Sequence, residues 1–120
     1  MKKLIAAIVI ALALPLSASA KSPTMTFGQA PGASPTQAPG PAYFGEQVWF
    51  AVDKPASTIE VDCYLGSYLG PLVYSPTQAA SSGFQLGPTP AWTGGFAECV
   101  ATAFASSGHS VAQMSFSVNA

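Results

Sequence analysis

Ile59-Glu60-Val61-Asp62-Cys63-Tyr64-Leu65 decides the fold: an apolar residue stands at every second position, with two carboxylates and a phenol between them. Successive side chains of a strand point to opposite faces, so this period of two belongs to a strand with one dry and one wet face. The same pattern returns where Ala97, Cys99, Ala101 and Ala103 share a parity. If Cys63 and Cys99 stand opposite each other on antiparallel strands, Tyr64 faces Glu98, Asp62 faces Val100 and Glu60 faces Thr102. Glu98 is then the diagonal neighbour of Asp62.

Working outward, Val48, Phe50 and Val52 alternate with Gln47, Trp49, Ala51 and Asp53 until Lys54-Pro55-Ala56-Ser57 breaks the run. At the C-terminal end, Ala112, Met114, Phe116 and Val118 share a face, after a hairpin turn at Ser106-Ser107-Gly108-His109. Gly66 and Gly70 bracket a turn, Pro71 to Ser75 and Gly83 to Leu86 are short strand candidates, and residues 87–95 form a connection. No helical stripe occurs beyond the first twenty residues. Six or seven short strands in roughly 100 residues predict an all-β, two-sheet sandwich, with a small barrel as the alternative. The expected core is Val48, Phe50, Val52, Ile59, Val61, Leu65, Met114, Phe116 and Val118.

Upstream, Lys2 and Lys3 precede an apolar run from Leu4 to Leu16, and Ala18-Ser19-Ala20 supplies small residues before a cleavage point. These are the three parts of a secretory signal peptide. The run of about 13 residues is short of the roughly 20 a spanning helix needs. The reading is a signal peptide over 1–20, an extended segment and proline-rich linker over 21–42, and a domain over 43–120. A secreted or periplasmic location follows, with no membrane span after signal cleavage. In the linker, Pro31, Pro35 and Pro39 recur every fourth residue, which favours polyproline or loop structure.

The chain contains no arginine, and cleavage would leave two lysines against five carboxylates. Nucleic acid, which is held through clustered Lys and Arg, is excluded as a partner. Two cysteines in an exported chain predict one disulfide, Cys63–Cys99. There is no C-x-x-C, and His109 is the only histidine, so neither a metal site nor a cofactor is expected.

The stretch from Tyr43 to Ala120 resembles the small secreted immunoglobulin-like or fibronectin-like domains of bacteria and their phages. The residues that carry the likeness are Gly45-Glu46-Gln47-Val48-Trp49-Phe50, Val61-Asp62-Cys63, Trp92 with Gly94-Gly95, Ala97-Glu98-Cys99-Val100-Ala101 and Ser115-Phe116-Ser117-Val118. The sequence departs from antibody-type domains at Ala97, where a tyrosine would stand two residues before the second cysteine. It departs also in the cysteine spacing of 36 positions, short for a bridge between the second and sixth strands. The resemblance implies an immunoglobulin-like sandwich of about seven strands acting as a binding or structural module, and carries over no catalytic residue.

Three groups of side chains could carry chemistry. His109 lies beside Ser106, Ser107 and Ser110, but all sit in one turn and no nucleophile-elbow motif is present. Glu60, Asp62 and Glu98 share a sheet face, and Glu98 with Asp62 could form a glycosidase pair or a calcium site, although calcium takes about six or more oxygens. Trp49 and Tyr64 take the outward parity of their strands, while Tyr68, Tyr74 and Trp92 fall in or near turns, where rings can stack on sugars or anchor a protein. The expected ligand-contacting set is Tyr64, Glu98, Asp62, Tyr68 and Trp92. The expected function is an exported, non-enzymatic binding or structural module for a protein or glycan. The alternatives are a small secreted glycan hydrolase using Glu98 and Asp62, and a secreted enzyme inhibitor.

Overall fold

The computed structural model describes residues 25–32 and 40–120. The signal-peptide reading over 1–20 and the centre of the proline-rich stretch, 33–39, lie outside them. The described residues are all-β. Nine strands follow one another as β1 (Met25–Gly28), β2 (Ala42–Tyr43), β3 (Gln47–Val52), β4 (Thr58–Leu65), β5 (Leu72–Tyr74), β6 (Thr77–Ala79), β7 (Gly83–Gln85), β8 (Ala97–Phe104) and β9 (Ser110–Asn119).

They form two sheets in a sandwich-like arrangement. The smaller runs β1-β3-β7; the larger runs β2-β9-β8-β4-β5, with β6 also paired to β4. Strand β2 joins β9 in parallel, and the other pairings are antiparallel. Proline cannot donate to a ladder, and Pro71 and Pro76 accordingly flank the short edge strand β5. Each accepts instead: Leu65 N–H donates to the Pro71 carbonyl at 2.9 Å and Val61 N–H to that of Pro76 at 3.0 Å.

The β4–β8 ladder has the register that the cysteines imply. Cys63 opposes Cys99, Tyr64 opposes Glu98, Asp62 opposes Val100 and Glu60 opposes Thr102. Ile59, Val61, Cys63, Ala97, Cys99, Ala101 and Ala103 all point inward and are fully buried. The cysteines form a disulfide with Cα atoms 4.0 Å apart, so it staples two neighbours of one sheet and does not bridge the two sheets.

Aromatic rings join the sheets instead. Phe116 of β9 meets Phe27 of β1 at 5.0 Å between centroids and Phe50 of β3 at 5.9 Å, and Phe50 meets Phe84 of β7 at 5.4 Å. Phe27 shows that the sandwich draws a core residue from upstream of residue 43. Within the expected core, Val48, Phe50, Ile59, Val61 and Val118 are buried, whereas Val52, Leu65, Met114 and Phe116 pack against its margin. The strands of the smaller sheet have 3 to 6 residues, too few to cover the 8 and 10 of β8 and β9.

Trp92 closes one end of the core. In the β7–β8 connection, Thr89 and Trp92 exchange backbone hydrogen bonds at 2.9 and 3.0 Å around Pro90, a residue suited to the second position of a tight turn. The indole is fully buried between Phe44 (5.0 Å) and Tyr74 (5.7 Å), and its N–H donates to the Gly95 carbonyl at 3.1 Å.

Two stability changes are expected. The Cys63→Ala/Cys99→Ala double variant should lose about 3–4 kcal/mol, the chain-entropy value for a loop of this length. Trp92→Ala should lose about 3–5 kcal/mol, through lost burial and the cavity left behind. Urea unfolding curves measure both. A loss below about 1 kcal/mol in either would contradict the placement of that side chain.

Candidate functional site

The outer face of the larger sheet gathers most of the residues singled out in the sequence. Alternation on β4 turns Glu60, Asp62 and Tyr64 outward, and on β8 it turns Glu98, Val100 and Thr102 outward. One row across the sheet reads Leu72, Tyr64, Glu98, Ser117. The row is made possible by an irregularity in β5. Cys63 pairs with Tyr74 while Tyr64 pairs with Leu72, so Val73 is an extra residue on the edge strand. The bulge lets Leu72 face solvent while both Val73 and Tyr74 turn into the core.

Tyr68 reaches this face from the β4–β5 turn. Its ring meets that of Tyr64 edge to face, at 6.1 Å and 61°, and its hydroxyl donates to the Cys99 carbonyl at 3.1 Å. The turn is tight: Gly70 N–H donates to the Ser67 carbonyl at 2.8 Å, and a Cβ at Gly70 would run into the Leu65 carbonyl. Phe96, whose carbonyl accepts from Gly66 N–H at 2.8 Å, extends the apolar rim. Exposure makes the patch unusual. Leu69 is 98 % exposed, Leu72 49 %, Tyr68 42 % and Phe96 38 %. Large apolar groups clustered in this way on a small domain mark an interaction surface more often than scattered ones do.

The carboxylates lie beside the rings. Glu98 Oε2 accepts from Ser117 Oγ at 3.2 Å, and Asp62 Oδ1 accepts from Ser75 Oγ. Asp62 has Glu60, two residues away on the same face, as its hydrogen-bonded carboxyl neighbour. That hydrogen bond to Asp62, helped by desolvation and by the Asp62 charge, raises the Glu60 carboxyl above its ordinary value.

The remaining candidates are elsewhere. Trp92 belongs to the sequence-derived ligand set, but its ring is enclosed in the core between Phe44 and Tyr74 and is not exposed to a ligand. Trp49 lies on the smaller sheet against Gly83, where an added Cβ would come within 2.8 Å of the indole. His109 accepts or donates a 2.9 Å hydrogen bond with Ser107 in the exposed β8–β9 turn, at the far end of β8 from Glu98. A groove of about 430 Å³ between β5 and the 89–91 turn is lined by Leu72, Tyr74, Pro76 and Pro90, and no carboxylate lines it. Sequence reasoning missed this groove and the exposure of Leu69, Leu72 and Phe96. The Leu69-Gly70-Pro71-Leu72 spacing, two leucines about a turn, was the available signal. Among the described residues, no group of three or more His, Cys, Asp and Glu side chains could hold a metal ion.

No family model, no curated protein and no solved structure matches this chain.

Two titrations check the geometry. Burial pushes the Tyr74 phenol up to about 12. A raised phenol keeps its proton longer when folded than when unfolded, so its contribution to stability is lost as pH rises from about 10 toward 12. Ultraviolet titration should show one late phenol that disappears in Tyr74→Phe; identical curves would contradict its burial. For Glu60 the raised carboxyl also binds its proton better in the fold. Its penalty is therefore absent in acid and present once pH exceeds its folded value. Glu60→Gln should melt at a higher temperature than the parent at pH 7 and at the same temperature near pH 3. A lower melting temperature at pH 7 would contradict the Glu60–Asp62 interaction.

Proposed function

We propose that this chain is a non-enzymatic, immunoglobulin-like binding module acting outside the cytoplasm, and that it binds through the outer face of the larger sheet. The observation that carries the proposal is the patch of Tyr64, Tyr68, Leu72 and Phe96 beside Glu98 and Asp62. Binding surfaces typically centre on large rings and aliphatic anchors with polar groups at their rim.

Strand order supports the immunoglobulin-like reading. In that class the first, second and fifth strands share one sheet and the third, sixth and seventh share the other. Here β1, β3 and β7 form one sheet, and β4, β8 and β9 form the centre of the other. The disulfide within one sheet is a departure from antibody-type domains, in line with the short cysteine spacing. An intrachain disulfide accords with an oxidising compartment, and hence with export. The non-enzymatic reading rests on the openness of the face. Asp62 and Glu98 are diagonal neighbours on a sheet face, each held by a serine, and neither lines the groove beside β5, where an acid could be desolvated.

Glycan and protein arrays, probed at equal folded fraction, test the proposal. Tyr64→Ala and Tyr68→Ala should each reduce a positive signal by about tenfold, a hot-spot loss. Glu98→Gln with Asp62→Asn should leave some binding. Signals untouched by the tyrosine variants would overturn the location. Release of reducing ends from a glycan, abolished by Glu98→Gln with Asp62→Asn, would overturn the non-enzymatic reading.

A further inference from the structure

We infer that the partner taken by this face is a cationic polypeptide segment, whose lysine or arginine stems lie on Tyr64, Tyr68 and Leu72 while their charges reach Glu98, Asp62 and Glu60. The inference rests on the binding proposal above and adds the chemistry of the partner.

Charge distribution is the first support. Of five carboxylates in the chain, Glu60, Asp62 and Glu98 all project from this one face. No strand of the larger sheet carries a lysine or arginine. Lys54 stands in the β3–β4 turn and His109 in the β8–β9 turn, both at the opposite end of the β4–β8 ladder from Tyr64. Uncompensated charge of one sign on a small patch draws a partner of the other sign and orients it.

Hydrogen bonding is the second. Ionised carboxylates only accept, so a partner here must donate. Ser117 donates to Oε2 of Glu98 and Ser75 to Oδ1 of Asp62, and each bond helps to fix its carboxylate on this face, where a carboxylate's remaining lone pairs can accept from a donor. A cation would also relieve the crowding of Glu60 against Asp62.

The shape of the apolar part decides between a peptide and a sugar. A sugar ring stacks on a flat aromatic face, whereas Tyr64 and Tyr68 meet edge to face, with the Tyr68 hydroxyl tied to the sheet. Leu72 and Leu69 add aliphatic surface that hydroxyl-rich ligands cannot use. Lysine and arginine side chains match the mixture, with apolar stems for the leucines, cationic heads for the carboxylates, and an attraction to ring faces.

The test uses a fluorescein-labelled ten-residue peptide alternating lysine and leucine, a glutamate–leucine counterpart, and chitin and glucan hexasaccharides. Anisotropy measures affinity, and amide chemical shifts of the isotope-labelled protein map the site. The lysine peptide should shift Tyr64, Leu72, Glu98 and Val100, and should bind about tenfold more weakly at 300 mM than at 50 mM salt. The isosteric Glu98→Gln should weaken it by about threefold, with the melting temperature unchanged as the folding control. Binding of a hexasaccharide, or of the glutamate peptide equally well, with shifts at Tyr64 and Glu98 would overturn the cationic partner and leave the binding face intact. Lysine-peptide shifts confined to other surfaces would overturn both.

Discussion

The pairing of β4 with β8 is the constraint from which the rest of the molecule follows. Eight residue pairs, from Thr58↔Phe104 to Leu65↔Ala97, run without a break at the centre of the larger sheet, and the Cys63–Cys99 disulfide locks them. Because side chains alternate with a period of two, a slip by one residue would send every inward group outward. It would bury Glu98 and Asp62 and expose Val61 and Ala101. The disulfide thus protects the composition of both faces at once. It fixes the core on one side and the aromatic and acidic patch on the other.

Locking within one sheet has a consequence for how the halves are held. No disulfide joins the smaller sheet to the larger; Phe27 and Phe50 meet Phe116 across the gap, and Phe84 packs behind Phe50. The fully buried alanines of β8 leave volume for those rings. The smaller sheet carries no disulfide and is held by ring packing together with bonds such as that from Gln78 Nε2 to the Gly83 carbonyl at 3.3 Å, whereas the face that carries Tyr64 and Glu98 belongs to the stapled sheet. The binding surface proposed above lies on that stapled sheet, where little ordering would be needed when a partner arrives.

Much of this was legible from residue parity. The alternation from Ile59 to Leu65, and from Ala97 to Ala103, placed each side chain on its observed face, and the cysteines set the register. Less legible were contacts made by residues outside long strands. Phe27 sits in a four-residue strand upstream of a proline-rich stretch, where local pattern says little about joining a distant sheet. Trp92 lies in a connection of glycine, proline and threonine, and its burial depends on Phe44 and Tyr74 arriving from other elements. Parity also failed at β5. The bulge at Val73 breaks the alternation there, so that Leu72 faces out while both following residues face in. Of the candidate site, Tyr64 beside Glu98 could be derived. The return of Tyr68 onto the face could not, since it depends on the turn at Gly70.

Cross-strand nuclear Overhauser contacts on the oxidised protein test the register most directly. The β4–β8 ladder predicts contacts between Val61 and Ala101 on the inner face, and between Tyr64 and both Glu98 and Tyr68 on the outer. Contacts pairing Tyr64 with Ala97 or Cys99 instead, with Glu98 turned toward Phe50 and Val48, would contradict it.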